Sequence, residues 1–334
     1  MPLKRALMVG ALAVLVTASF ALAHSGRASA GGATIGGGTT LVGHAGPVSS
    51  VAFSPNGPTL AAATENGTVQ LWDVRRDRLS RTLAGLVGVV DSVAFSPNGR
   101  TVAAGSRDGT VGLWSLPSRR QFGAALKGHS GSVYSVTFSP NGRTLAAASA
   151  DGTVGLWDVN SHTRVGQLNN HAGAIASLAF SPDGRSVAAG DIHGTVVLWD
   201  VESRHQLGVP LQTHHLVNSV AYSPNGRTLA AANGDRGTVG LWDVRRHRLD
   251  RTLRTGSRGP VNSVTFAPRT RILAIGSETG TVQLWNLSAD KPLATLNAGT
   301  GPVFSVVFSP DGRTLAAGGH NGTIRLWRTN PSNA

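Results

Sequence analysis

Hydrophobic and polar positions recur along this chain in short beats. In residues 132–168, SVYSVTF (132–138) alternates apolar with small or polar side chains, which predicts a half-buried strand. SPNGR follows as a turn, with Gly142 supplying the positive φ that such turns require. TLAAAS (144–149) reads as a second strand, its small side chains suited to a crowded layer, and Asp151 and Gly152 close another tight turn. TVGLWDV (153–159) and TRVGQL (163–168) are the third and fourth strands.

The same four beats return along almost the whole chain. Seven tryptophans, Trp72, Trp114, Trp157, Trp199, Trp242, Trp285 and Trp327, stand 42 or 43 residues apart, each near the end of a third strand. A Ser-Pro-Asn/Asp-Gly turn precedes six of them, and the sixth unit carries the degenerate TFAPRT at 265–270. A fixed period of that size marks an array of supersecondary units. One four-stranded sheet cannot hide both of its faces, but successive sheets stacked around an axis can. The indoles are expected to fill the gaps between neighbouring sheets. The last unit stops after its third strand (323–329), while an orphan strand, 39–43, precedes the first unit. That segment is expected to serve as the missing fourth strand and to shut the ring, removing the exposed sheet edges.

These phrases, LWD at Trp72, Trp157, Trp199 and Trp242 and Gly-His before the first strand at His44 and His129, resemble the WD-repeat family over residues 39–328. The resemblance implies an all-β, seven-bladed β-propeller of four-stranded antiparallel blades, here in a secreted, bacterial-type member. It also implies a hydrogen-bonded structural tetrad of His, Ser/Thr, Asp and Trp in each blade. Only the third unit has all four, as His129, Ser149, Asp151 and Trp157. The first has His44, Thr64, Asn66 and Trp72, and the second has Leu86 at the histidine position. The fourth has His171, with His193 at the turn acid, and units five to seven have Thr213, Ser257 and Gly299 instead of histidine. Several blades are therefore expected to depend on packing more than on a polar network.

The N-terminus is of another kind. Lys4 and Arg5 precede an apolar run to Ala23 with a small-x-small ending, the pattern of a secretory signal peptide (1–23). Cleavage after Ala23 fits best, Ala30 is a second candidate, and the length of the run leaves an uncleaved anchor open. A Gly/Ser/Ala-rich linker follows (24–38), then the repeat array (39–329) and a short tail (330–334). The protein is expected outside the cytoplasm, as a monomer. The absence of cysteine excludes disulfides, thiol nucleophiles and cysteine-based metal sites.

A formal net charge of +13 favours anionic surroundings. By antiparallel topology, the turns between strands one and two and the loops between strands three and four share one end of the ring. That end collects Arg75, Arg76, Arg78, Arg119, Arg120, Arg245, Arg246 and Arg248, candidates for docking cell-wall or lipid polyanions. No aromatic side chains are interleaved there, which argues against nucleic acid. The other end holds positions that vary between units: Asp91, Arg107, Tyr134, Ile192, Leu216, Asn218, Asn262, Phe304 and His320. The resemblance makes that end the usual place for a protein partner, with Tyr134 and Phe304 as expected anchors. Hydrolase and zinc-protease motifs are absent, the histidines in turns come from different units, and neither cofactor nor metal is expected. The leading expectation is a non-catalytic protein-interaction scaffold. A polyanion anchor is one alternative, and an enzyme with its site at the central opening is the other.

Overall fold

The computed structural model describes residues 35–43, 46–118, 120–169, 171–256 and 259–329. The signal segment, most of the linker, the tail, His44, Arg119, Ser257 and Arg258 lie outside the described residues. Twenty-eight strands form seven four-stranded antiparallel sheets. In the third, Val133–Phe138, Thr144–Ser149, Val154–Asp158 and Arg164–Leu168 pair in chain order, within a residue of the pattern read from the sequence. The first strand of each blade lies beside the first strand of the next, and that of the seventh lies beside Val48–Phe53 of the first. The seven sheets thus close into a β-propeller with the first strands innermost.

The seventh sheet is completed from the other end of the chain. Thr39–Leu41 pairs antiparallel with Ile324–Arg328, Thr39 opposite Leu326 and Leu41 opposite Ile324. Leu41 is 1 % exposed and packs with Val48, Trp72, Ile324 and Leu326. Arg325 Nη1 donates to Thr40 Oγ1 at 2.6 Å outside that contact.

Each tryptophan lies buried in an inter-blade gap. Trp157, 2 % exposed, packs with Val111, Leu113 and Leu126 of blade two. Trp199 packs with Leu156 and Leu168 of blade three, and Trp327 with Val282 and Leu284 of blade six. The seven apolar clusters are these seven gaps, so the core is a ring of wedges with no single centre. Small second-strand residues such as Ala146 and Ala148 are fully buried and let the sheets approach.

A second ring lies nearer the axis. Ser50 Oγ accepts the backbone N–H of Val93 in the next blade, at 3.3 Å. Ser92 does the same for Val136, Ser135 for Leu178, Ser177 for Val220, Ser219 for Val264 and Ser263 for Val306. Ser305 closes the circle on Val51 at 3.1 Å. Every first strand is stitched to its successor by one hydroxyl.

Candidate binding surfaces of the ring

The stitching serines follow a β-bulge that recurs in all seven blades. In blade one the register passes from Val48 opposite Thr64 to Ser50 opposite Ala63, so Ser49 is the extra residue. The equivalent extra residues are Asp91, Tyr134, Ala176, Asn218, Asn262 and Phe304. A bulge re-aims its side chain. Here all seven line one cavity of about 120 Å³ on the ring axis, together with the stitching serines.

Several of these side chains are clips between blades. Ser49 Oγ donates to Val90 O, Asn218 Nδ2 to Val261 O at 3.0 Å, and Asn262 Nδ2 to Val303 O at 3.1 Å. Asn262 Nδ2 also donates to Glu278, and Asn218 Nδ2 to Asn262 Oδ1. Asp91, 1 % exposed, receives Arg107 through two hydrogen bonds of 2.8 and 3.1 Å. Burial alone would lower the Arg107 pKa, but Asp91 outweighs it and holds the guanidinium above its usual value. Tyr134 is 2 % exposed, packed where the sequence suggested a protruding anchor. Phe304 is partly exposed and meets the exposed His320 edge-on at 5.9 Å. Ile192 and Leu216 are half-buried on the same rim. The expected partner set is therefore brought together, but as a braced mouth with only part of its side chains turned outward.

The bulges were not legible beforehand, since the extra residue has no fixed identity. The stitching was: Ser-Val/Leu-x-Phe/Tyr recurs in every unit, and its serine had been read only as a polar beat of the alternation.

Tetrad residues also meet, with different connectivity. His129 Nδ1 lies 3.0 Å from Asp151, whose carboxylate also accepts from Thr153 Oγ1 and Ser130 N. The imidazole packs on the Trp157 indole at 5.5 Å, and Gly155 leaves room for both rings, where a Cβ would come within 2.3 Å of the indole. Ser149 Oγ donates to Gly131 O, so no hydrogen bond links it to the indole. Burial dominates the His129 pKa and lowers it despite Asp151. Burial would raise the Asp151 pKa, but bonds from Thr153, Ser130 and His129 outweigh it, and the carboxyl stays below its usual range.

Two further His–Asp pairs depart from the repeat-by-repeat transfer. In unit four Asp191, not His193, meets His171 at 3.1 Å, and both side chains are buried. In unit five His215 reaches Asp235 at 3.0 Å, although Thr213 occupies the transferred histidine position. In unit four the acid has moved, since Asp191 stands where blade three has Ser149; in unit five the imidazole has moved, two residues beyond Thr213. Trp199 and Trp242 have indole N–H groups with no acceptor among the described residues, so packing alone holds them. Among the described residues no three of His, Asp and Glu gather as a metal-binding group.

The opposite end is basic. Arg75, Arg76, Arg78, Arg120, Arg245, Arg246 and Arg248 are all exposed. The acids beside them are occupied in turns. Asp73 Oδ1 accepts from Arg75 N and Arg76 N, Asp158 from Asn160 N and Ser161 N, and Asp200 from Ser203 N. The Arg76 guanidinium and the turn amides lower the Asp73 pKa, and the Ser161 and Ser203 amides lead in lowering those of Asp158 and Asp200. The turns hold their acids close to the backbone, where Asp73 and Asp243 also pair with Arg76 and Arg246, while Arg75, Arg78, Arg120, Arg245 and Arg248 project.

Fold and surfaces together define a seven-bladed propeller built to present faces. The family described as IFT122 first beta-propeller matches residues 118–333, and the WD domain, G-beta repeat, matches 38–73 and 78–115. The chain belongs to this family of WD-repeat β-propellers, which are typically non-catalytic scaffolds for protein interaction. No curated protein matches the chain.

Proposed function

We propose that the protein is a non-catalytic scaffold that docks a protein partner on the rim of its channel, outside the cytoplasm. The observation that carries this reading is the bulge ring. Seven backbone positions share one geometry, the residue after each is always serine, and yet the seven are Ser, Asp, Tyr, Ala, Asn, Asn and Phe. Divergence inside a copied frame shapes the mouth, and its half-buried members, Asn218 and Phe304, are where one partner can be told from another. Ile192, Leu216 and Phe304 supply apolar contact, with His320, Arg107, Glu65 and Glu278 around them.

The test is affinity capture from the secreted fraction with the native protein and with Ile192→Asp combined with Phe304→Ala. Loss of the captured partner at an unchanged melting temperature is expected, and retention of the same partner by the variant counts against this rim. Export rests on residues 1–23 alone, as does the bacterial type of that signal. N-terminal sequencing of the secreted protein should begin at His24, and an intact Met1 on a membrane-bound protein would establish the anchor instead.

A second reading is favoured by the projecting arginines: an anchor on cell-wall or lipid polyanions. Retention on anionic liposomes should then fall steeply with salt. Reversing Arg75, Arg76, Arg245 and Arg246 to Glu should abolish it, and indifference to that reversal eliminates the anchor.

A further inference from the structure

Unit six breaks a turn that the other six units keep. In the regular turns serine accepts the backbone N–H five residues on, as Ser96 does from Thr101 at 2.9 Å and Ser139 from Thr144 at 3.0 Å. In five of the six the same serine bonds the Asn or Asp two positions on, and glycine then takes a positive φ, +72° at Gly142. Unit six has Ala267, Pro268, Arg269 and Thr270 instead. Arg269 itself adopts the left-handed conformation at φ +60°, and Thr270 Oγ1 accepts the Ile272 N–H at 3.2 Å. A guanidinium therefore stands where other units have a tucked Asn or Asp, with exposed Arg271 two positions on.

The altered turn borders a groove of about 520 Å³ between blades five and six. Leu241, Phe266, Ile272 and Leu287 give it an apolar floor, and the acid in its lining is Asp250. Arg251 also lines it, with its charge already paired. Its Nη1 meets Asp290 at 2.7 Å and its Nη2 donates to Leu287 O, while its buried Nε has no acceptor among the described residues. A cavity of about 530 Å³ between blades four and five shares Pro224 and Asn225 with this groove and adds Arg227 and Arg245. The two make a basic track that straddles the turn of blade five.

We propose that the groove between blades five and six is a docking site for an extended acidic peptide segment bearing aliphatic side chains. Charge complementarity selects carboxylates for the rim of Arg269 and Arg271. The groove's lining separates this ligand from a bare polyanion, which would engage the rim alone and gain nothing from the apolar edges that Leu241, Phe266 and Ile272 still present to the groove. The site lies on the opposite end from the channel rim and is independent of partner docking there.

The test is a fluorescence-anisotropy titration of the exported protein with the labelled peptide Gly-Asp-Leu-Asp-Leu-Asp-Gly. Arg269→Glu with Arg271→Glu should weaken binding by ~10-fold or more. Arg143→Glu with Arg313→Glu, the same charge change on the same end, should alter it by no more than ~2-fold. Replacing both leucines of the peptide by glycine, at constant charge and with the native protein, should weaken binding by ~10-fold. Phe304→Ala at the channel rim should leave the titration unchanged, so failure of either site is read separately. Absence of binding overturns the proposal. So does equal binding of the leucine-free peptide or of inorganic polyphosphate, or an equal loss in the Arg143/Arg313 variant, because each would show that the charge of the whole end acts without the groove.

Discussion

Closure of the ring by Thr39–Leu41 makes a sharp prediction at two adjacent residues. Leu41 is 1 % exposed in the cluster around Trp72 and Ile324, whereas Val42 is 69 % exposed. Leu41→Ala removes three buried carbons and leaves a void that the flanking sheets cannot refill without losing the pairing to Ile324–Arg328. Such truncations cost about 3 kcal/mol. At roughly 2–4 °C per kcal/mol for a domain of this order of size, the melting temperature should drop by about 6–12 °C. Val42→Ala should stay within about 0.5 kcal/mol of the native protein. Thermal melts followed by circular dichroism on the two single variants decide the matter. A Leu41→Ala protein that melts with the native one, or a Val42→Ala protein that melts as early as Leu41→Ala, would refute closure by this strand.

The serine ring predicts that Ser177→Ala, which leaves the Val220 N–H without its acceptor, destabilises by about 1–3 kcal/mol in urea titration. Ser161→Ala, in an exposed loop, should be neutral within about 0.5 kcal/mol. Acid should lower the stability of the ring in two stages. The folded-state pKa of His129 lies below its ordinary value of 6.5, so between the two the unfolded chain binds the extra proton and stability falls as pH drops. His129→Gln should flatten that first stage in melting temperature plotted against pH. The second stage begins below 3.8, as Asp151 and Asp191, whose folded-state pKa values are also lowered, take up protons.

How far the chain could be read beforehand depended on what repeats. The 42- or 43-residue spacing of tryptophans carried the blade count, the wedge role of the indoles and the need for a borrowed strand. These are backbone-scale facts, and copying preserves them. The mouth was only half legible. Asp91, Asn218 and Asn262 were marked as variable, but their ties to Arg107 and to the carbonyls of the next blade depend on a bulge that leaves no residue signature. Tyr134 was misplaced for the same reason, because the bulge packs it inward. The His–Asp pairs were missed where a fixed offset was carried from unit to unit: Asp191 stands at the second-strand position that Ser149 holds in blade three, and His215 lies two residues beyond Thr213. The groove beside Arg269 was visible only as a spoiled motif, since its depth comes from the neighbouring blade.

The contact between Thr40 and Arg325 spans 285 positions of the chain. Synthesis runs from the N-terminus, so six leaves can fold from neighbouring sequence as they emerge, but the seventh waits for both ends of the array. Throughout that interval Leu41 has no Ile324 to cover it, and an unmatched sheet margin is open to any other strand. The clasp that stabilises the finished ring therefore also sets its slowest and most vulnerable moment during biogenesis.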